Sequence, residues 1–260
     1  MQSTTRFTGR SKQYVKFRPS YPQQVLSYLQ QTIGWTNEKL IADVGAGTGI
    51  FTKLLLDQGS RVVAIEPNDE MRHALIEYLK PYLVEKEADK QLQVMNGSAE
   101  ATAIADHAID GIVCAQSFHW FDAGLARAEF MRMLKPQGKV VLLWNQRDVE
   151  ASAFVRDYEE LFMRYGDQYD KVKHKQVNVQ TLAPFYGGKQ PKLESFYYEQ
   201  VLDYKGLLGR IQSSSFSLTE QDARYDAFIE DCKALFARHE QAGEVKMIYR
   251  TDLYWGTLSE

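Results

Sequence analysis

The run Leu40-Ile41-Ala42-Asp43-Val44 is apolar on consecutive residues and stops abruptly in Gly45-Ala46-Gly47-Thr48-Gly49. A strand with one wet face alternates apolar and polar side chains, whereas a strand covered on both faces does not. The segment therefore predicts an inner strand of a doubly covered sheet. The next residues agree: Thr48 to Asp57 forms an amphipathic stretch with Phe51, Leu54 and Leu55 inward, Gly59 stops it, and Arg61–Ile65 is a second apolar run ending at Glu66. Two such runs joined by a helix make a βαβ unit and demand a parallel sheet with helices on both sides.

The same rhythm extends along the chain. Ahead of the unit, Pro22 to Ile33 predicts a helix with Val25, Leu26 and Leu29 on one face and Gly34 as its end. After it come a helix from Asn68 with Met71, Leu75 and Leu79 at helical spacing before Pro81, a strand at Leu92–Met95, and a strand at Gly111–Ala115 running out into Gln116-Ser117-Phe118-His119-Trp120-Phe121. Asp122 predicts the cap of a helix carrying Leu125, Phe130, Met131 and Leu134. Lys135–Gly138 reads as a turn into a fifth strand, Lys139–Trp144. From Ala151 to Pro191 the composition shifts to Tyr, Lys, Gln and Asp around one helix, Phe154–Tyr165, which reads as an insertion over the open edge of the sheet. A strand at Lys192–Val201, helices at Tyr204–Gln212 and Thr219–His239 (Thr219 capping, Asp222 in the first turn) and a strand at Val245–Leu258 close the chain. The two terminal strands leave no room for a crossover and predict an antiparallel pair at the edge. Four segments of one domain result: a lid or cap over 1–34, a cofactor core over 35–150, the insertion over 151–191, and edge strands and helices over 192–260.

Bulk properties narrow the function classes. The chain has 260 residues, and a net charge of −3 with a pI near 6.0 gives no broad attraction for a polyanion. Nucleic acid and membrane are not expected partners, and no stretch of about eighteen apolar residues predicts a span. Cys114 and Cys232 fall in a strand and a helix, which suits reduced thiols and a cytoplasmic location, and their spacing holds no metal. Oligomeric state is not readable.

Glycines between a strand and a helix let the main chain turn sharply and let a ligand approach it closely. Dinucleotide sites space them as G-x-G-x-x-G; here they alternate as G-x-G-x-G behind an acid, without the wider loop that seats a pyrophosphate. Glu66 ends the second strand near the ~20-residue offset at which an acid receives the ribose hydroxyls of an adenosine, and its charge would repel a 2′-phosphate. Gly97-Ser98-Ala99-Glu100 follows the third strand where the adenine would lie, and Gln116 stands at the carboxyl end of the fourth, the edge at which open α/β sheets bind ligands.

With these residues assembled, the chain resembles the class I methyltransferases, and more narrowly the methyltransferase type 11 group that includes trans-aconitate methyltransferase-like enzymes. The Asp43–Gly49 loop, Glu66-Pro67-Asn68 with Met71, Gly97–Glu100, Gln116–Asp122 and Leu134–Gly138 carry the resemblance over roughly residues 40 to 145. It implies a doubly wound, mostly parallel, seven-stranded α/β sheet of Rossmann-like type with the last strand antiparallel. It also implies S-adenosyl-L-methionine as cofactor, held by Asp43, Gly45, Ala46, Gly47, Thr48, Gly49, Glu66, Pro67, Met71, Ser98, Ala99 and Gln116. Similar proteins often carry Asp where Ser98 stands, which shifts the expected adenine contact toward the Ala99 backbone. They also fold a segment like Tyr14 to Pro22 over the cofactor, so Tyr14 and Arg18 are expected at the methionine carboxylate and Tyr21 at the reaction pocket.

On the acceptor side, Phe118–Phe121 offers rings that exclude water and surround a sulfonium, with Trp120 in the pocket wall and His119 either as a proton acceptor or as pocket lining. Tyr158, Tyr165, Tyr169 and Tyr186 of the insertion and Tyr249-Arg250-Thr251 are expected to supply further walls. The acceptor is read as a small molecule, its nucleophile a carboxylate, which needs no base, or a hydroxyl. Two other readings stay open: a non-catalytic domain retaining the cofactor fold, and an NAD(P)-dependent oxidoreductase.

Overall fold

The computed structural model describes residues 17–83, 91–166, 177–214 and 216–258. Its strands are β1 (Leu40–Val44), β2 (Arg61–Ile65), β3 (Leu92–Met95), β4 (Ile109–Ala115), β5 (Leu134–Arg147), β6 (Lys192–Leu202) and β7 (Val245–Gly256). They form one seven-stranded sheet in the order β3-β2-β1-β4-β5-β7-β6. The first five run parallel, and β7 lies antiparallel between β5 and β6. The helices are α1 (Gln23–Tyr28, continuing as a wider turn over Leu29–Ile33), α2 (Ile50–Asp57), α3 (Asp69–Tyr78), α4 (Ala123–Met133), α5 (Ala153–Tyr165), α6 (Val179–Leu182), α7 (Tyr204–Gln212) and α8 (Tyr225–His239). No helix among the described residues is long and apolar enough to cross a membrane.

The consecutive apolar residues of β1 are explained by its central place. Ala42 and Val44 join one core with Ile112, Cys114 and Leu142 against Phe130 of α4. Ile41 joins the opposite core with Val62, Val113 and Val141 against α1, α2 and α3. A third core, under α5, α7 and α8, takes Val245, Met247 and Tyr249 from β7. Cys114 and Cys232 are free and buried.

Four sequence expectations are corrected. Helix α4 ends at Met133 and Leu134 opens β5 instead of closing the helix; the buried stripe is Ala126-Phe130-Met133 at i, i+4, i+7, which leaves Leu125 and Met131 outside it at 59% and 38% exposure. Helix α2 begins at Ile50 and buries Thr52 and Leu56, with Leu54 half-buried. Helix α8 starts at Tyr225 rather than Thr219: Asp222 accepts from the backbone and guanidinium of Arg224 and so closes a turn ahead of the helix. The Lys135–Gly138 turn is a bulge inside β5, since Ile109 pairs with Leu134 while Gly111 pairs with Lys139.

The order reverses at β1, flanked by β2 on one side and β4 on the other. Side connections leaving such a point in opposite directions open a crevice beyond the carboxyl ends of the strands. The register from Leu40↔Arg61 to Val44↔Ile65 brings both strands to that edge together, so the glycine loop and Glu66 meet there.

Candidate active site

The loop after β1 is tied to the end of β2. Gly45 and Ala46 donate backbone N–H groups to the Ile65 carbonyl at 2.9 and 3.1 Å. Glu66 accepts from the Gly47 N–H at 2.8 Å through Oε2 and from the Asn68 N–H at 2.9 Å through Oε1. Burial raises the Glu66 carboxyl above its ordinary range, against the opposing pull of the Asn68 and Gly47 amides. Asp43 lies beneath the same loop. Its Oδ2 accepts from Thr52 Oγ1 at 2.6 Å, while its Oδ1, like Thr48 Oγ1, is buried without a hydrogen-bond partner among the described residues. Burial pushes the Asp43 carboxyl up to about 7, with the Thr52 hydrogen bond opposing and the charge of Glu66 adding to the rise.

The glycines of the loop divide by task. Gly47 sits at φ +59°, and a Cβ there would meet nothing within 4 Å, so its missing side chain leaves open space at the cleft wall. A Cβ on Gly45 would stand 2.6 Å from Ser117 Cβ, so that glycine lets the loop pack on the end of β4. Gly49 does not line the cleft; a Cβ there would press on Leu75 of α3 and Leu79 just past its end.

Around this floor a cleft of about 410 Å³ opens. Ala46, Thr48, Pro67, Met71, Ser98, Ala99 and Gln116 line it with Asp43, Gly45, Gly47 and Glu66, and so do Arg18, Tyr21, His119 and Trp120. Tyr14 lies outside the described residues. Asn68, absent from the sequence-based set, caps α3 through Oδ1 to the Met71 N–H at 2.9 Å and also lines the cleft.

The aromatic run after β4 is split by a 3₁₀ turn at Phe118–Trp120. Phe118 packs into the core, 4.6 Å between ring centroids from Phe185, and His119, Trp120 and Phe121 line the cleft, with the His119 and Trp120 rings 4.7 Å apart. The segment ahead of α1 forms a further wall. Tyr21 meets the Phe51 ring edge-on at 4.9 Å, Arg18 donates to the Ser213 carbonyl at 3.0 Å, and Asn145 donates to the Ser20 carbonyl at 3.0 Å.

The remaining wall comes from far along the chain: Asn145 and Arg147 at the end of β5, Arg210 on α7, Phe216, and Tyr249 on β7. Of Tyr249-Arg250-Thr251, Tyr249 alone lines the cleft; Thr251 donates to Asn145 at 2.6 Å and Arg250 pairs with Asp252. The insertion tyrosines are a correction. Tyr158 and Tyr186 are spent in hydrophobic cores and Tyr165 donates to Asp231 at 2.9 Å, so none of the three lines the cleft, and Tyr169 lies outside the described residues. No local pattern marks Arg147 or Arg210, because each reaches the cleft through the packing of distant segments.

A glycine-acid cradle at the switch point of this sheet is the arrangement of a class I methyltransferase. Residues 42–142 match the family described as Methyltransferase domain. An uncharacterized methyltransferase of Mycobacterium tuberculosis is 30% identical over 226 residues, covering 87% of this chain and 83% of that one. An uncharacterized methyltransferase-like protein of Schizosaccharomyces pombe is 25% identical over 242 residues, covering 92% and 90%. Among solved structures, a protein assigned as a type II methyltransferase from Anaeromyxobacter dehalogenans shares the fold at a TM-score of 0.64 and 19% identity, over 93% of this chain and 98% of that one. The chain belongs to the class I S-adenosylmethionine-dependent methyltransferases.

Proposed function

We propose that this chain binds S-adenosyl-L-methionine, with the ribose on Glu66 and the amino-acid end over Asp43, and methylates a small-molecule acceptor. The observation that carries this is the pair of buried, unpartnered oxygens, Asp43 Oδ1 and Thr48 Oγ1, beneath a glycine loop whose open side faces the cleft. A buried polar atom left without a partner costs about 1–3 kcal/mol, and a ligand ammonium or hydroxyl removes that cost. Glu66 keeps lone pairs for two hydroxyls after serving Gly47 and Asn68.

When bound, the cofactor supplies an electrophilic methyl on a sulfonium. The protein's part is placement and exclusion of water: the aromatic residues Tyr21, Trp120 and Phe121 line the cleft, and a dry, aligned site is worth effective molarities of ~10⁵ M and above. His119, half-buried on the turn after β4, takes a proton from a hydroxyl acceptor and serves as wall for a carboxylate one.

Calorimetry is expected to show binding of S-adenosylmethionine and S-adenosylhomocysteine and none of NAD or NADP; NAD(P) binding alone would overturn the reading. With a hydroxyl acceptor, His119→Ala is expected to lower kcat by about 10²-fold or more without changing S-adenosylhomocysteine affinity. An unaltered kcat would remove the proton-transfer role.

A further inference from the structure

Arg210 is 3% exposed yet lines the cleft. Its side chain donates through Nε to an uncharged partner, the Tyr249 hydroxyl, at 3.1 Å, and no carboxylate among the described residues pairs with it. The neighbouring guanidinium, Arg147, is matched by Glu159. This wall therefore carries a buried positive charge that none of the described residues neutralises. Such a charge is a strong liability in a folded chain and persists where a ligand brings the opposite one.

We propose that Arg210, held by the Tyr249 hydroxyl, which itself donates to Gln200 at 3.4 Å, is the subsite for a carboxylate on the methyl acceptor. The inference rests on the cofactor placement above, which sets the ligand ammonium at Asp43 of β1. Tyr249 of β7 stands three strand positions from β1, about 14 Å between backbones at the usual spacing, which favours the acceptor over the carboxylate on the same carbon as that ammonium. One unmatched charge balances a monoanion; a phosphate monoester would leave excess negative charge near Glu159. A planar guanidinium also fits a planar carboxylate. Tyr249 beside it, and Phe216 and Trp120 elsewhere in the lining of the same cleft, favour an acid with an apolar body.

The experiment has two arms. In the first, the wild-type protein is titrated with S-adenosylhomocysteine, which tests the cofactor reading by itself. In the second, butyrate, benzoate and phenylacetate, their amides, and phenyl phosphate are titrated into the protein with and without S-adenosylhomocysteine. At least one acid is expected to bind ten times more tightly than its amide and than phenyl phosphate. In Arg210→Met that preference is lost, S-adenosylhomocysteine affinity stays within twofold of wild type, and the melting temperature of the free protein rises by a few degrees as the unmatched charge is removed. Arg210→Lys keeps the charge without the planar fork and is expected to retain part of the preference. No acid binding, equal binding of the amides, tighter binding of phenyl phosphate or a lower melting temperature in Arg210→Met would overturn the proposal. A loss of S-adenosylhomocysteine affinity in that variant would also overturn it, by assigning Arg210 to the cofactor.

Discussion

Glu66→Ala is expected to weaken S-adenosylhomocysteine binding by about 100- to 1000-fold, or about 3–4 kcal/mol, measured by calorimetry. Two hydrogen bonds from ribose hydroxyls to a carboxylate are each worth about 1.5–3 kcal/mol, and the substitution removes both acceptors. It also releases the Gly47 and Asn68 amides, which Glu66 holds at 2.8 and 2.9 Å, so the loop is less ordered before the ligand arrives. Glu66→Gln preserves shape and one acceptor oxygen and is expected to lose less. Because burial raises the Glu66 carboxyl, affinity falls on acidification sooner than it would for an exposed glutamate. Affinity of Glu66→Ala within a few-fold of wild type would place the ribose elsewhere.

Asp43→Asn is expected to make the free protein more stable at alkaline pH while weakening its hold on the cofactor. Unfolded, the Asp43 carboxyl titrates near 3.8; folded, burial moves it to about 7. Between those values the folded state holds one proton more than the unfolded state, so stability falls as pH rises through that window. At about 1.4 kcal/mol per pH unit the loss accumulates to roughly 4 kcal/mol above pH 7. Asparagine keeps an oxygen for the Thr52 hydroxyl and has no proton to lose. Urea unfolding should therefore show the variant ahead of wild type by about 3–4 kcal/mol at pH 8.5, with the advantage shrinking on acidification and gone near pH 4. A difference that does not change with pH would mean that the folded carboxyl titrates normally. On the proposed function, the stability that Asp43 costs the free protein is offset when its unpartnered oxygen meets a ligand cation.

The expectations that failed share a cause. The apolar residues Leu125, Phe130, Met131 and Leu134 mark a helix but not its phase or its end: the sheet takes Ala126, Phe130 and Met133, and Leu134 passes into β5. The tyrosines of the insertion were assigned to the cleft by composition, and composition does not say which way a ring points: Tyr158 and Tyr186 fill cores. Gly49 belongs to the glycine pattern, yet it makes room for Leu75 and Leu79 rather than for a ligand.

The sequence by itself determined the parallel core of this protein and the floor of its cleft. The apolar run of β1, the alternating glycines and the acid after β2 lie within 27 residues, Leu40 to Glu66, and short-range rules of burial, turning and register act over that length. Of the far wall the sequence suggested Tyr249, and the tertiary structure alone decided that Arg147 and Arg210 meet it there. Arg147, Arg210 and Tyr249 converge because β7 pairs with β5 and α7 packs beside it, and the β5–β7 pairing joins residues more than a hundred positions apart. No local pattern encodes such a meeting, since it depends on how whole faces are buried.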